Sequence, residues 1–371
     1  MKFICNRQEL SKSLNIVSKA VSSRTTIPSL KGILLKVENN ELILTASDMD
    51  ITIEDRIPVV NSEDGEIIAP AKLFSAIVRK LPGEDLTVDV IDDVLYINSM
   101  KTDYNVTGMR ADEFVNIKNT EDDKAVISFN KKMFTDMVRK TSFAASIDQT
   151  KGVITGVLIE LKKNSLKMVA IDGYRMAITK EESVNEENRN IIISSRIIND
   201  IVKIIGETEG RTEDEDVKLM VDSKSAILIT GKTKVIMRLI AGEFIKYQDI
   251  VPKEAAIKVR VNKNDLIESV ERASIFSKEG KNNLIKLSLN ENIMTITSRS
   301  EEGNVKEEIM ITKDGEDLDI GFNAKYIMDM LKAIDDEQIM IEFNTGRTPC
   351  AVKPLEGDKY TYIILPVRIS N

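Results

Sequence analysis

Little in this chain could do covalent chemistry. Its 371 residues include no histidine and only two cysteines, Cys5 and Cys350. That removes Ser-His-Asp and Cys-His catalysis, His-ligated zinc and four-cysteine metal sites. Asp and Glu number 60, yet none stand as a catalytic pair. "SEDGE" (62–66) and "TEDED" (212–216) are acidic loops without calcium-loop spacing. "TGKTK" (230–234) invites a phosphate-loop reading, but that motif needs a glycine five residues before Gly231, and position 226 is alanine. No catalytic residue, metal ligand or cofactor is expected. One stretch does ask for an explanation: "AIDGYRMAITK" (170–180) sets Tyr174, Arg175 and Met176 directly beside an Asp172-Gly173 turn. A turn needs the glycine and the aspartate; it does not need an aromatic ring, a guanidinium and a thioether.

The elements that carry these residues come in three copies. "NRQELSKSLNIVSKA" (6–20), "NKKMFTDMVRKTSFA" (130–144) and "NKNDLIESVERASIF" (262–276) each open on Asn, an N-cap residue, and then space apolar side chains helically. These are Leu10, Leu14 and Val17; Phe134, Met137 and Val138; Leu266, Ile267 and Val270. A short alternating strand precedes each helix. A hairpin follows: "GILLKVENNELILTASD" (32–48), "GVLIELKKNSLKMVAID" (156–172) and "KLSLNENIMTITS" (286–298), alternating on both sides of an Asn-containing turn. Then comes a second helix, at 70–82, 194–206 and 323–335, and further strand pairs such as 86–99 and 216–231. A repeat of this kind predicts an α+β fold of three domains, each with two helices and about eight antiparallel strands. The expected boundaries are 1–122, 123–252 and 253–371, with links near Thr120–Lys124 and Val251–Ala256.

Aligning the copies sorts the charge. The net charge is −8, which argues mildly against a nucleic-acid partner. Even so, three columns are basic in every copy: Arg7, Lys131 and Lys263; Lys72, Arg196 and Lys325; Arg79, Lys203 and Lys332. With 52 Lys and Arg in the chain, chance gives about 0.3 such columns over a repeat of ~120 positions. The first two columns fall at helix starts, where a cation opposes the helix dipole at about 0.3–1 kcal/mol each. The second and third columns are seven residues apart in each helix and share a face. A common basic surface contacting phosphates, without reading bases, accounts for the placement.

No run of about 18 apolar residues is present, and "MKFICNRQEL" lacks the apolar core of a signal peptide. With two cysteines, a reducing cytoplasmic setting is expected.

The three-domain repeat, the opening "MKF", "RTTIPSL" (24–30), "AIDGYRMA" (170–177) and the ending "YIILPVRI" (362–369) together resemble the bacterial DNA polymerase sliding-clamp family, end to end. The resemblance implies a noncatalytic head-to-tail homodimeric ring around duplex DNA, holding the replicative polymerase for processive synthesis. The basic columns then line the hole, joined by Arg24. The turn and the C-terminal tail form a cleft for short linear motifs of the polymerase, the clamp loader and repair proteins. Its implied lining is Ile154, Ile171, Gly173, Tyr174, Arg175, Met176, Ile245, Ile250, Thr348, Cys350, Ile363, Ile364, Leu365, Pro366, Val367, Arg368 and Ile369. Tyr174 stands where some relatives have histidine, and Ile245 where many have proline. Tyr104 and Val106 are expected to meet Ile275 and Phe276 of a second chain, beside the strand near Arg299–Lys306. The alternatives are a monomeric DNA-binding scaffold and an accessory enzyme without ring closure. No membrane partner is expected.

Overall fold

A computed structural model describes residues 1–22, 25–115, 125–183, 188–208, 210, 216–279 and 283–369. The expected Thr120–Lys124 link and Arg24 lie outside them. The helices are α1 (Arg7–Val17), α2 (Ala71–Lys80), α3 (Lys131–Thr141), α4 (Ser195–Thr208), α5 (Lys263–Glu279) and α6 (Ala324–Ala333). Each first helix starts where its Asn caps it. The Asn6 carboxamide oxygen accepts from the amides of Gln8 and Glu9, Asn130 from Lys132 and Met133, and Asn262 from Asn264 and Asp265. In α6 Asn323 does the same for Lys325. These bonds satisfy amides that the helix leaves unpaired, worth about 1 kcal/mol each.

Two compact units are present: residues 1–134 with 200–239, and residues 135–199 with 240–371. Every strand pairing in both is antiparallel.

In the first unit a five-stranded sheet runs Val60–Glu63, Lys2–Asn6, Asp85–Ile91, Val94–Ser99, Thr102–Thr107. An eight-stranded sheet runs Ala125–Asn130, Asp216–Val221, Ser225–Thr230, Thr233–Arg238, Ile51–Pro58, Glu41–Ser47, Gly32–Glu38, Gly65–Pro70. The hairpin turn at Asn39 and Asn40, both with positive φ, is a two-residue connection of the kind Asn tolerates. Helix α1 buries Leu10, Leu14, Ile16 and Val17 against this sheet and α2. Burial of each such side chain contributes about 1.5–3 kcal/mol.

In the second unit one twelve-stranded sheet carries the candidate cleft. Its order is Arg189–Ser194, Gly156–Lys162, Ser165–Ile171, Arg175–Glu182, Tyr360–Ile364, Cys350–Pro354, Gln338–Phe343, Ile257–Asn262, Asn304–Asp314, Ile293–Arg299, Leu284–Asn290, Leu318–Asn323. Helices α5 and α6 pack on each other, and α5 lies on strands 293–299 and 304–314. The described strands number nine in the first third and eight in each of the others, in keeping with the expected eight or so. Val60–Glu63 pairs with Lys2–Asn6 as the end of Asn304–Asp314 pairs with Ile257–Asn262.

Candidate functional site

The turn at 172–175 follows from its own residues. Asp172 Oδ1 accepts from the amides of Tyr174 (2.8 Å) and Arg175 (3.0 Å), and Gly173 sits at φ 96°, where a Cβ would be strained. The first copy repeats the device: Asp48 Oδ1 accepts from Asp50 and Ile51, with Met49 at φ 77°. So the turn belongs to the repeat. What the central copy adds is Tyr174 and Arg175, where the first has Asp50 and Ile51.

Adjacent residues in a strand face opposite sides, and this divides the expected lining. Met176 pairs with Ile171 and Ile363, and all three enter one buried cluster with Leu158, Val169, Ile192, Tyr247 and Ala351. Ile154, Ile250, Phe244 and Val251 pack against it. Arg175 pairs with Ile364, and Ile364 with Cys350, so these three take the opposite face, toward α6. All three are buried in the single chain. The guanidinium of Arg175 is spent inside the protein. Nε donates to Asp172 Oδ2 (3.0 Å), Nη1 to Asp329 Oδ2 (2.6 Å) and Nη2 to the Phe143 carbonyl (2.9 Å). Met176, Ile171 and Ile363 are buried too and form a floor.

The surface over that floor is apolar. Tyr174 is 56% exposed, Ile245 42% and Leu365 37%, from three separate segments. The Leu365 amide donates to the Tyr174 carbonyl (2.9 Å), which ties the tail to the turn. The Val367 amide donates to the Gly321 carbonyl (2.8 Å), and Pro366–Ile369 line an open groove with Lys286, Asp319, Thr345, Gly346 and Arg347. A Cβ at Gly321 would come within 2.9 Å of Ile369, so glycine permits the tail's approach. Gly173 and Arg368 are exposed, and Ile154, Ile250, Thr348, Pro366, Val367 and Ile369 are half-buried. The Thr348 hydroxyl holds the 345–348 turn.

Several residues escaped sequence reasoning. Tyr326 of α6 stacks on Tyr174 (centroids 6.2 Å, 23°) and lies 4.6 Å from the Arg175 guanidinium carbon. Tyr247 donates from its hydroxyl to buried Glu160 Oε2 (2.6 Å), fixing the segment that supplies Ile245 and Ile250. Burial, with the Glu160 carboxylate second, pushes that phenol well above its ordinary pKa. Lys325 and Asp329, four apart in one helix, were the only local hint of the Asp329 contact.

Burial pushes both thiols up to about 12. Since the thiolate is the reactive form, Cys5 and Cys350 are expected to resist iodoacetamide at pH 8 in the folded chain and to label fully in denaturant. Prompt labelling of the native protein would contradict their burial.

The basic columns divide by helix. On the first helices the cations are half-buried. Arg7 Nε donates to the Gly83 carbonyl (2.9 Å), just past α2, and Lys263 Nζ to the Ile334 carbonyl (3.0 Å), just past α6. These two close helix ends as well as carrying charge. On the second helices all six cations are exposed. Lys203 pairs with Asp200 (2.9 Å) and Lys325 with Asp329 (2.8 Å), whereas Lys72, Arg79 and Lys332 have no ion-pair partner among the described residues. Of the expected interface residues, Ile275 is 64% exposed and Tyr104 40%. Phe276 is half-buried beside Gly303. The Val106 side chain is 3% exposed in the single chain, on the edge strand Thr102–Thr107.

Among the described residues no group of three or more metal-type side chains is placed to hold an ion, and no helix is long and apolar enough to cross a membrane. "TGKTK" is a hairpin turn with Gly231 at φ 58°, and Thr233 donates to buried Asp55 (2.7 Å).

The sequence matches family models for the DNA polymerase III beta subunit over three consecutive stretches: N-terminal domain at 1–118, central domain at 128–246 and C-terminal domain at 248–368. The chain belongs to that family. The beta sliding clamp of Staphylococcus epidermidis is 34% identical over 99% of both chains. Among solved structures, the DNA polymerase sliding clamp from Bacillus subtilis superposes with TM-score 0.94 at 29% identity, and the Thermotoga maritima DNA polymerase III beta subunit with 0.92 at 30%, each covering 100% of both chains. As a member of the family, the chain is a noncatalytic processivity clamp of the replicative DNA polymerase, built from three repeated clamp domains.

Proposed function

We propose that two chains close the ring by strand addition: the last strand of one chain's first domain joins a free edge in the other chain's third. A pairing used twice inside the chain carries this reading. Ile51–Pro58, which follows the first hairpin, pairs with Thr233–Arg238, the last strand of the central third. Arg175–Glu182, which follows the second hairpin, pairs with Tyr360–Ile364, the last strand of the final third. The register is the same, with the first residue of one strand opposite the fifth of the other: Ile51 with Met237, Arg175 with Ile364. The third instance lacks its partner. Asn304–Met310, after the third hairpin, pairs only with Ile293–Arg299. Thr102–Thr107, the last strand of the first third, ends its sheet, paired only with Val94–Ser99. The hairpin registers put Gly303 in the place of Ile51 and Arg175, and Val106 in the place of Met237. The repeat therefore sets Gly303 of one chain opposite Val106 of the other, Val305 opposite Tyr104 and Lys306 opposite Asp103. Two head-to-tail contacts of this kind use up both edges and close the assembly.

The three domains span 1–122, 123–252 and 253–371. Arg7, Arg24, Lys72, Arg79, Lys131, Arg196, Lys203, Lys263, Lys325 and Lys332 meet the phosphates of encircled duplex. The exposed second-helix cations carry most of that contact. Tyr174, Ile245 and Leu365 over the Ile171–Met176–Ile363 floor, with the tail, receive apolar linear motifs of the polymerase, the clamp loader and repair proteins. The setting is the cytoplasm.

Retention on circular against linear duplex tests the whole reading. A loaded ring stays on closed circles and slides off linear ends. Equal retention on both would mark an ordinary DNA binder. The lining is phosphate-directed, so direct affinity is expected to fall steeply with salt. Arg79→Glu and Lys332→Glu each take one cation away from the DNA backbone. Each change occurs twice in the homodimer, so either is expected to flatten the slope of log K against log salt by up to about 1.8. Peptide binding is expected to be unchanged, and a parallel loss of both would point to misfolding.

A further inference from the structure

We propose that Asp329, on α6, is a positioning residue of the motif cleft, holding the Tyr174 turn in its binding shape through Arg175. The proposal rests on the cleft reading above. Arg175 bridges two carboxylates: Nε meets Asp172 Oδ2 (3.0 Å) and Nη1 meets Asp329 Oδ2 (2.6 Å). Asp172 uses its other oxygen to cap the Tyr174 and Arg175 amides. A continuous line of charge-assisted bonds therefore runs from α6 to the exposed turn. Its middle is shielded from water: side-chain exposure is 8% for Arg175 and 13% for Asp172, rising to 29% at Asp329. Salt therefore screens the Arg175–Asp172 bond little and the Asp329 end more. The flat guanidinium lies between the Phe143 ring (5.4 Å) and the Tyr326 ring (4.6 Å), which fixes its plane as well as its position.

The same helix holds the turn a second way. Tyr326, one helical turn before Asp329, stacks under Tyr174. Asp329 sets the backbone of the turn and Tyr326 sets its exposed ring. Without the Asp329 charge, Arg175 keeps Asp172, the Phe143 carbonyl and the Tyr326 ring but loses its one charge-assisted bond to α6 among the described residues. Turn and helix are then held together by the Tyr326 ring contacts alone, a looser hold that lets Tyr174 vary the face it presents to an apolar ligand. Asp329 touches no ligand itself. Its Oδ2 also accepts from Lys325 Nζ (2.8 Å), so the cleft strut ends on a helix that carries a basic column.

The probe is a fluorescein-labelled peptide bearing the linear motif of the replicative polymerase, titrated by anisotropy against full-length dimer. Asp329→Asn is expected to weaken binding about tenfold, the scale of one charge-assisted hydrogen bond. Arg175→Met is expected to do the same, and the double variant no worse than either single one, because the two act as a unit. Asp329→Glu is expected to recover to within about threefold. A purely structural role predicts additive losses that track thermal midpoint. Wild-type affinity in Asp329→Asn, or additivity in the cycle, overturns the proposal. Should Asp329→Asn fail to fold, Arg175→Lys keeps the charge without the fork and is expected to bind at least about fivefold weaker; undiminished binding would again overturn it. Deleting 365–371 separates the two readings. If that deletion leaves affinity intact, the cleft assignment fails whatever Asp329 does; if it abolishes binding while Asp329→Asn binds normally, the cleft stands and the positioning role falls.

Discussion

Ile275→Asp is expected to yield a folded monomer at micromolar concentration. Ile275 is 64% exposed in the single chain, so the change costs the isolated fold little. In the ring it buries an unpaired carboxylate, a penalty of about 3–5 kcal/mol. A head-to-tail dimer contains two identical interfaces, so each substitution acts twice, and dissociation by several orders of magnitude follows. Phe276→Asp is expected to dissociate the dimer as well, with some loss of stability, since the Phe276 ring already lies beside Gly303. Light scattering with an in-line concentration readout decides the matter. An Ile275→Asp chain that remains dimeric at low micromolar concentration rules out this placement of the interface.

Deletion of residues 365–371 is expected to remove binding of the polymerase-motif peptide while leaving the dimer intact. The deletion takes away Leu365, Pro366, Val367 and Ile369, all exposed or half-buried, and spares Ile363 and Ile364, which the sheet needs. Four apolar side chains at roughly 1 kcal/mol each amount to about a thousandfold in affinity. The cost to the fold is small, because the tail is tied by the Leu365–Tyr174 and Val367–Gly321 backbone bonds and, among its described residues, contributes no fully buried side chain. Met176→Ala is a poorer probe. Met176 is a core residue of the cluster beneath, and truncating it costs about 2–5 kcal/mol of stability besides any effect on the ligand. Full peptide affinity in the deletion, with the dimer mass unchanged, would return the tail to a structural role.

The helices and hairpins were legible because their signals are local. Asn6, Asn130 and Asn262 announced three helix starts, and alternation announced the paired strands, to within two residues in the third copy. Strand pairing between thirds was not, since nothing near Ile51 marks Met237 as its partner. How the expected lining divides was less legible: Arg175 and Met176 are neighbours in one strand and take opposite faces of the sheet. Asp329 was hidden for another reason. A buried guanidinium requires carboxylates, but which ones depends on how α6 meets the sheet. The four-residue strand at Val60–Glu63 is too short to show a period.

The unpaired edges at Thr102–Thr107 and Asn304–Met310 matter before any ring exists. A newly made chain without a partner displays two rows of free amides and carbonyls, the usual starting point for uncontrolled sheet growth. Asp103 on one edge and Lys306, Glu307 and Glu308 on the other place charge along these rows, which discourages a stranger's strand from docking. Lys306 already pairs with Glu308 of its own strand, and the register that sets it against Asp103 adds a second counterpart in the right partner. The same side chains that select the assembly thus act as gatekeepers against aggregation, and a variant that neutralises them should be judged by its solubility as well as by its mass.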